Sequence, residues 1–135
     1  NSSIRNSSSN QKSAKNYFES GRKKRDSEDF KGAIKDFDKA IQMNKNYDKA
    51  YYYRALSKSQ AKDYQGAIND YTKAIEFLPN FPDAYYLRGY LYLVLADGKD
   101  RDLFKKGCIS IKQADVLGSK EAKQLIKDGT CNGYI

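Results

Sequence analysis

Two stretches of the chain that lie 34 residues apart carry nearly the same sequence. Residues 29–41 read DFKGAIKDFDKAI and residues 63–75 read DYQGAINDYTKAI, so that eight of the 13 positions are identical and two more exchange Phe for Tyr. The same displacement relates Tyr17, Tyr51 and Tyr85. A period kept at so many positions indicates an internal repeat, in which each copy is one unit of structure that packs against its neighbours.

The apolar residues of each copy recur at spacings of three and four, which is the period of an amphipathic helix. In the first copy they are Phe30, Ala33, Ile34, Phe37, Ala40 and Ile41, and the second copy repeats them as Tyr64, Ala67, Ile68, Tyr71, Ala74 and Ile75. A second helix fits between Tyr17 and Phe30, and another between Tyr51 and Tyr64. The sequence therefore predicts helical hairpins, which small side chains allow to approach closely. The small residues are Gly21, Ala33, Ala40, Ala55, Ala67, Ala74 and Gly89.

These positions together resemble the tetratricopeptide repeat family. Its pattern has an early aromatic, a small residue, an aromatic at the turn, then an Ala, an aromatic, an Ala and a Pro. The second repeat fills the pattern with Tyr51, Ala55, Tyr64, Ala67, Tyr71, Ala74 and Pro79, and the first with Tyr17, Gly21, Phe30, Ala33, Phe37 and Ala40, followed by Lys45 in place of Pro. The resemblance implies an all-α fold, a right-handed α-solenoid of stacked helix-turn-helix hairpins with about three repeats and a C-terminal capping helix.

A third repeat is less regular than the first two. It begins with Tyr85, Gly89 and Tyr92, and six extra residues near positions 97–102 then delay its second helix, which we interpret as a lengthened turn. A short apolar face in residues 119–127 predicts the capping helix, which Gly129 would end. The predicted organisation is a disordered Ser/Asn-rich leader (1–12), three repeats (13–47, 48–81 and 82–118), the cap (119–129) and a tail (130–135).

The sequence lacks the usual residues of an enzyme active site. It has no His, no phosphate-binding Gly loop and no recognisable nucleophile motif. Asp36 and Asp70 are predicted to lie on polar helix faces, paired with Lys39 and Lys73 three residues further along. We therefore expect a non-enzymatic protein that uses no cofactor.

Cys108 and Cys131 are the only cysteines. Without His they cannot complete the four ligands of a structural zinc site within one chain, so no metal is expected. A disulfide between them would close a short loop and stabilise the fold by about 3 kcal/mol in an oxidising compartment. Two reduced, half-buried thiols are the alternative.

The family resemblance also implies a binding surface, because the first helices of successive hairpins line a concave groove in that family. By position, the groove residues are Lys15, Phe18, Arg22, Arg25, Lys49, Tyr52, Leu56, Gln60, Asp83, Tyr86, Tyr90 and Val94. An aromatic groove with a basic end suits a peptide or protein segment that carries apolar anchors and negative charge. In the alternative interpretation, Phe18, Tyr52 and Tyr86 pack between hairpins and belong to the core.

One subset of the family binds a C-terminal carboxylate with Lys, Asn and Arg side chains. The corresponding positions of this chain are Phe18, Arg22, Tyr53, Tyr90 and Val94, of which only Arg22 suits that role. The sequence therefore disfavours the recognition of chaperone tails by such a clamp.

The positive charge of the chain allows a second class of partner. The 25 Lys and Arg outnumber the 17 Asp and Glu, and residues 22–25 read RKKR, so nucleic acid or another anionic surface is an alternative. It is disfavoured because successive residues spread around a helix and because Asp26, Glu28 and Asp29 follow at once.

Weak self-association through an exposed end hairpin is a third possibility. No apolar stretch is long enough to span a bilayer. The N-terminus lacks the apolar core of a signal peptide, and the chain begins with Asn1 in place of Met, which allows for an upstream targeting segment or anchor that has been removed.

Overall fold

The computed structural model describes the backbone of residues 2–135 and the side chains of residues 8–135. The described residues form seven helices and no strand: α1 (Ser2–Asp26), α2 (Phe30–Met43), α3 (Asp48–Gln60), α4 (Tyr64–Phe77), α5 (Pro82–Ala96), α6 (Arg101–Val116) and α7 (Lys120–Lys127). They divide into two compact units, of which the first ends at Phe77 and the second spans Leu78–Ile135. The predicted all-α fold of helical hairpins is confirmed. None of the described helices has the length and apolar character needed to cross a membrane.

The first helix is longer than the composition suggests. We expected a disordered leader over residues 1–12, but α1 begins at Ser2, and Asn1 lies outside the described residues. No Gly or Pro interrupts the chain before Ala14, which is fully buried. A helix anchored at Ala14 therefore meets no residue that would stop it towards the N-terminus, and extending a helix that already exists costs little.

The second helix of each of the first two hairpins begins in the same way. Asp29 accepts a hydrogen bond on Oδ1 from the backbone N–H of Gly32 at 3.0 Å, and Asp63 accepts one from Gly66 at 3.0 Å. Each carboxylate therefore satisfies an N–H group that the helix leaves unpaired, which stabilises the helix start by about 1 kcal/mol. The repeated Asp thus determines where α2 and α4 begin.

The core of the first unit is built from residues at repeated positions. Phe37 and Tyr71 occupy equivalent positions and are almost completely buried, and the small residues around them, Ala33, Ala40, Ala67 and Ala74, are fully buried. A Cβ atom at Gly21 would lie 2.7 Å from the ring of Phe37. The small residues are therefore needed because the helices approach too closely for larger side chains.

The structure contradicts the predicted pairing of Asp36 and Asp70. Both are buried, with 6% and 3% of their surface exposed, and neither pairs with the Lys three residues further along. Lys24 reaches Asp36 at 2.9 Å, and Lys58 reaches Asp70 at 3.0 Å. The prediction was wrong because it considered only one helix, whereas these carboxylates face the preceding helix of their own hairpin, where burial requires a charged or hydrogen-bonding partner.

Close backbone contact joins α5 and α6 in the second unit. A Cβ atom added at Gly89 would lie 2.7 Å from Cγ1 of Ile111 and 2.8 Å from the carbonyl oxygen of Gly107. A Cβ atom at Gly107 would in turn lie 2.9 Å from the carbonyl oxygen of Gly89. The two glycines therefore let the helices approach nearer than any other residue would allow.

The third hairpin accommodates its extra residues differently from the prediction. The turn between α5 and α6, residues 97–100, is only one residue longer than residues 61–63 between α3 and α4. The other extra residues extend α5 at its end and α6 at its beginning. Asp97 and Gly98 adopt left-handed φ angles of 51° and 67°, which allow a tight turn between two lengthened helices.

The end of the second unit is held by α7 and by a disulfide. Ala122 of α7 is fully buried against Ile111 and Ala114, and Ser119 accepts a hydrogen bond from its N–H at 3.1 Å. Cys108 of α6 forms a disulfide with Cys131. The segment after α7 therefore belongs to the packed unit.

Candidate functional site

The first helices of the two hairpins in the first unit, α1 and α3, carry eight of the predicted groove residues. Their side chains divide by exposure into three groups: Lys15, Arg22, Lys49 and Gln60 are exposed, Arg25, Tyr52 and Leu56 are half-buried, and Phe18 is buried. Seven of the eight therefore remain accessible at the surface of this unit.

Phe18 belongs to the core of the first unit. Only 4% of its surface is exposed, and its ring contacts those of Phe37, Tyr47 and Tyr53 at centroid distances of 5.9, 5.0 and 5.5 Å. The expectation that Phe18 lines the groove was wrong, because α2 and α3 together cover this position of α1. A ligand on this face would meet the residues around Phe18 but not its ring.

The ring of Tyr53, which the groove prediction omitted, contacts two arginines of α1. The guanidinium of Arg22 lies 5.0 Å from the centre of the Tyr53 ring, and that of Arg25 lies 5.8 Å from the same ring. Both distances are within the range of cation–π attraction. The prediction selected Tyr52, and the next residue of a helix points about 100° away, so position in the repeat alone did not reveal which Tyr the arginines contact.

Both arginines lack a charged partner among the described residues. Among the described residues, no carboxylate lies within salt-bridge distance of Arg22 or Arg25, and neither donates a hydrogen bond to a described residue. The Nε atom of Arg25 is buried and has no hydrogen-bond partner there. Arg54 of α3 differs, because it is paired with both Asp38 and Asp70.

Two further tyrosines pack beside this arginine pair. The ring of Tyr52 lies 5.4 Å from that of Tyr53 and 5.7 Å from that of Tyr71, which is 1% exposed. Burial raises the pKa of Tyr71, the neighbouring Tyr52 raises it further, and Arg25 partly opposes the shift. The arginines therefore lie against an aromatic surface to which Tyr53, Tyr52 and Tyr71 contribute.

The predicted groove residues of the second unit lie on α5. Tyr90 and Val94 are exposed, with 49% and 41% of their surface accessible, and Asp83 is also exposed. Tyr86 is half-buried against α6 and α7, and burial raises its pKa, with smaller contributions from Tyr90 and Glu121. This surface is less basic than that of the first unit.

A shallow pocket adjoins Tyr86 in the second unit. The pocket is lined by side chains of both charges and by one apolar residue, namely Lys120, Glu121, Gln124, Leu125 and Asp128. A second pocket lies near the chain end, where the ring of Phe104 contacts that of Tyr134 at 5.0 Å. Neither pocket brings together unpaired charges of one sign as the arginine pair does.

Helical hairpins at a fixed period, with an accessible cationic surface on their first helices, define the chain as an α-helical repeat protein. The family model described as "TPR repeat" matches residues 59–95. No protein of curated function matches the chain. The repeats of this chain therefore follow the tetratricopeptide repeat pattern, and residues 59–95 match the family model itself.

Several solved structures share this fold. The chain is similar to the Arabidopsis OM64 TPR domain, with 24% sequence identity, a TM-score of 0.78, and coverage of 88% of this chain and 95% of that one. It is also similar to the first TPR of Spaghetti (RPAP3) bound to the HSP90 peptide SRMEEVD, with 18% identity, a TM-score of 0.77, and coverage of 87% and 90%. MamA is 30% identical with a TM-score of 0.71, covering 82% of this chain and 61% of MamA.

Proposed function

We propose that this chain is a non-enzymatic protein-interaction module that binds a peptide or protein segment on the α1–α3 face of its first unit. The observation that carries the proposal is the accessible cationic surface in which Arg22 and Arg25 lie over the ring of Tyr53. Structural relatives support the general role, since the first TPR of Spaghetti is bound to an HSP90 peptide and the TPR2B domain of yeast Sti1 forms a complex with pHsp70.

The composition of this face suits a protein ligand. Tyr and Arg are the residues that most often dominate binding energy at protein interfaces, since they combine a large apolar area with a polar group. Half-buried Leu56 and Tyr52 offer apolar contact, while exposed Lys15 and Lys49 add positive charge. A segment with apolar anchors and acidic residues would therefore complement the face both in shape and in charge.

The ligand class differs from that of the carboxylate clamp described for one subset of the family. Of the five clamp positions, Phe18 is buried and Tyr53 already contacts two arginines. Tyr90 and Val94 have no positively charged group that could donate a hydrogen bond to a carboxylate. Only Arg22 retains a suitable side chain. We therefore propose an internal acidic segment as the ligand in preference to a chaperone C-terminus.

Charge reversal on the inner helices tests this function. The double variant K15E/K49E changes two exposed residues of α1 and α3, and the matched control K31E/K35E changes two exposed residues of α2. Both variants carry the same net charge. We expect peptides selected from a random library on the purified chain to bind K15E/K49E about tenfold more weakly and the control nearly unchanged.

Two results would contradict the proposal. Equal losses in both double variants would mean that net charge alone, and no particular face, attracts the ligand. A failure of the library to yield any specific peptide, combined with oligonucleotide binding that weakens steeply with salt, would make nucleic acid the partner instead.

A further inference from the structure

Two guanidinium groups share one aromatic ring on the surface of the first unit. Arg22 and Arg25 are three residues apart on α1, so they lie on the same side of that helix. Both lie within 6 Å of the centre of the Tyr53 ring, at 5.0 and 5.8 Å. The ring attracts both cations, so both guanidinium groups stay beside this one ring.

Three carboxylates of the first unit are paired with other cations. Asp38 and Asp70 of the same unit are both bound to Arg54, at 2.7 Å each, and Asp36 is bound to Lys24. Within the described part of the chain, no carboxylate is paired with Arg22 or Arg25. An external anion placed between the two guanidiniums would be attracted by both and would remove their mutual repulsion.

Arg25 also has an unsatisfied donor. Its Nε atom is buried, and no described residue accepts a hydrogen bond from it. A buried donor without a partner is unfavourable, so a small movement of the guanidinium towards an incoming oxygen would be favoured on binding. A carboxylate matches the planar fork of a guanidinium and can accept two of its hydrogen bonds.

We propose that an Asp or Glu side chain within the partner segment binds between Arg22 and Arg25 against the ring of Tyr53. The inference rests on the proposed function and adds to it the chemistry of the ligand's principal polar anchor. The residues involved belong to α1 and α3 of the first unit only.

The distribution of nearby charge favours a single carboxylate over a long polyanion. Glu19 precedes the arginine pair by one helical turn, and the exposed acids Asp26, Glu28 and Asp29 follow it. A nucleic acid needs a continuous series of cations to neutralise successive phosphates. Here the positive charge is interrupted on both sides of the pair, so one acidic side chain fits and an extended phosphate backbone would be repelled.

Amide substitution in the ligand tests the inference directly. The full chain is presented with an oriented peptide library that has Glu fixed at its central position, and with the same library carrying Gln there. We expect the chain to bind the Glu library about tenfold more tightly than the Gln library. The variants R22Q and R25Q should reduce this ratio to near one, because the amide ligand and the neutral variant each remove the same interaction.

Two further variants separate the effect of charge from that of the planar guanidinium group. Lys23 is exposed and lies between the two arginines in the sequence, so K23Q removes one positive charge without touching the ring of Tyr53 and should leave the ratio unchanged. Arg22 is exposed, so R22Q keeps the fold and tests the inference even where R25Q loses stability. R25K retains the charge but not the planar fork, and we expect an intermediate ratio.

The outcomes separate the inference from the function on which it rests. Equal binding of both libraries by the unaltered chain, or a ratio that survives R22Q, would overturn the carboxylate site while leaving the interaction module intact. Binding of neither library would overturn both. Binding of a single-stranded oligonucleotide that R22Q abolishes, without any preference for Glu, would assign the arginine pair to phosphate and overturn the inference.

Discussion

Arg54 binds Asp70 through two parallel hydrogen bonds, from Nε to Oδ2 and from Nη2 to Oδ1, each 2.7 Å long. A third hydrogen bond, from Nη1 of Arg54, reaches Asp38 of α2 at 2.7 Å. One side chain of α3 therefore connects the second helix of its own hairpin with that of the preceding hairpin. Burial alone lowers the pKa of Arg54, but its hydrogen bonds to Asp70 and then Asp38 outweigh this effect and raise it.

The same place in each hairpin carries a related polar contact. Ser20 donates a hydrogen bond to Asp36 at 2.6 Å in the first hairpin, Arg54 binds Asp70 in the second, and Arg88 donates to Ser110 at 3.2 Å in the third. The pattern of one polar pair per hairpin is preserved while its chemistry changes. Each pair joins the first helix of a hairpin to the second and satisfies groups that burial would otherwise make unfavourable.

Removing Asp70 should strongly destabilise the first unit. The side chain of Arg54 is 17% exposed and that of Asp70 is 5% exposed, so D70A leaves a largely buried cation without its main partner. We expect a loss of about 3–5 kcal/mol in the free energy of unfolding, measured by urea denaturation. The control D38A, whose carboxylate is 44% exposed, should cost less than about 1 kcal/mol. Similar losses for both variants would show that the double contact with Asp70 has no special importance.

The buried carboxylate of Asp36 should make stability depend on pH in the acid range. Burial alone raises its pKa, but the hydrogen bonds from Ser20 and Lys24 and the charges of Lys24 and Lys39 lower the pKa below the ordinary 3.8. The contribution of Asp36 to stability is therefore fully present above pH 3.8 and is lost as the pH falls through the lower folded-state value. In urea titrations across this range, D36N should decline in stability less steeply than the unaltered chain. Parallel curves would contradict this prediction.

Adding one methyl group at Gly89 should disrupt the second unit. In G89A the new Cβ would lie 2.8 Å from the carbonyl oxygen of Gly107, a backbone atom that cannot rotate away, and 2.7 Å from Ile111. Although Ala favours helix formation more than Gly does, we expect a net loss of about 1–3 kcal/mol from overpacking. Thermal unfolding followed by circular dichroism would measure it. A stabilised G89A would indicate that α5 and α6 can separate at little cost.

Reduction of the disulfide should destabilise the second unit without affecting ligand binding by the first. The Cys108–Cys131 bond joins residues 23 apart in sequence, and losing it should cost about 3 kcal/mol through the added freedom of the unfolded chain. Dithiothreitol should therefore lower the melting temperature of the unaltered chain. The double variant C108A/C131A provides the control, because the reductant should have no effect on it. Loss of peptide binding on reduction would mean that the second unit contributes to the ligand surface.

The sequence by itself determined the hairpins and most of the residues that pack inside them. Ala33, Phe37 and Ala40 recur one period later as Ala67, Tyr71 and Ala74, and all are buried, because helical periodicity identifies the apolar side of each helix. The starts of α2 and α4 also depend on local sequence, since Asp29 and Asp63 accept hydrogen bonds from N–H groups only three residues away. These features depend on neighbours within a few residues along the chain.

Only the tertiary structure decided which side chains meet across helices. Phe18 and Tyr52 share the repeat position of an inner-helix aromatic, yet α2 and α3 bury the first and leave the second partly accessible. Tyr53, beside which Arg22 and Arg25 lie, is distinguished from Tyr52 by a rotation of one residue around α3. A sequence pattern predicts which side of a helix is buried. It does not predict which side chains pack against that side, because these depend on helix crossing angles and on residues distant in the chain.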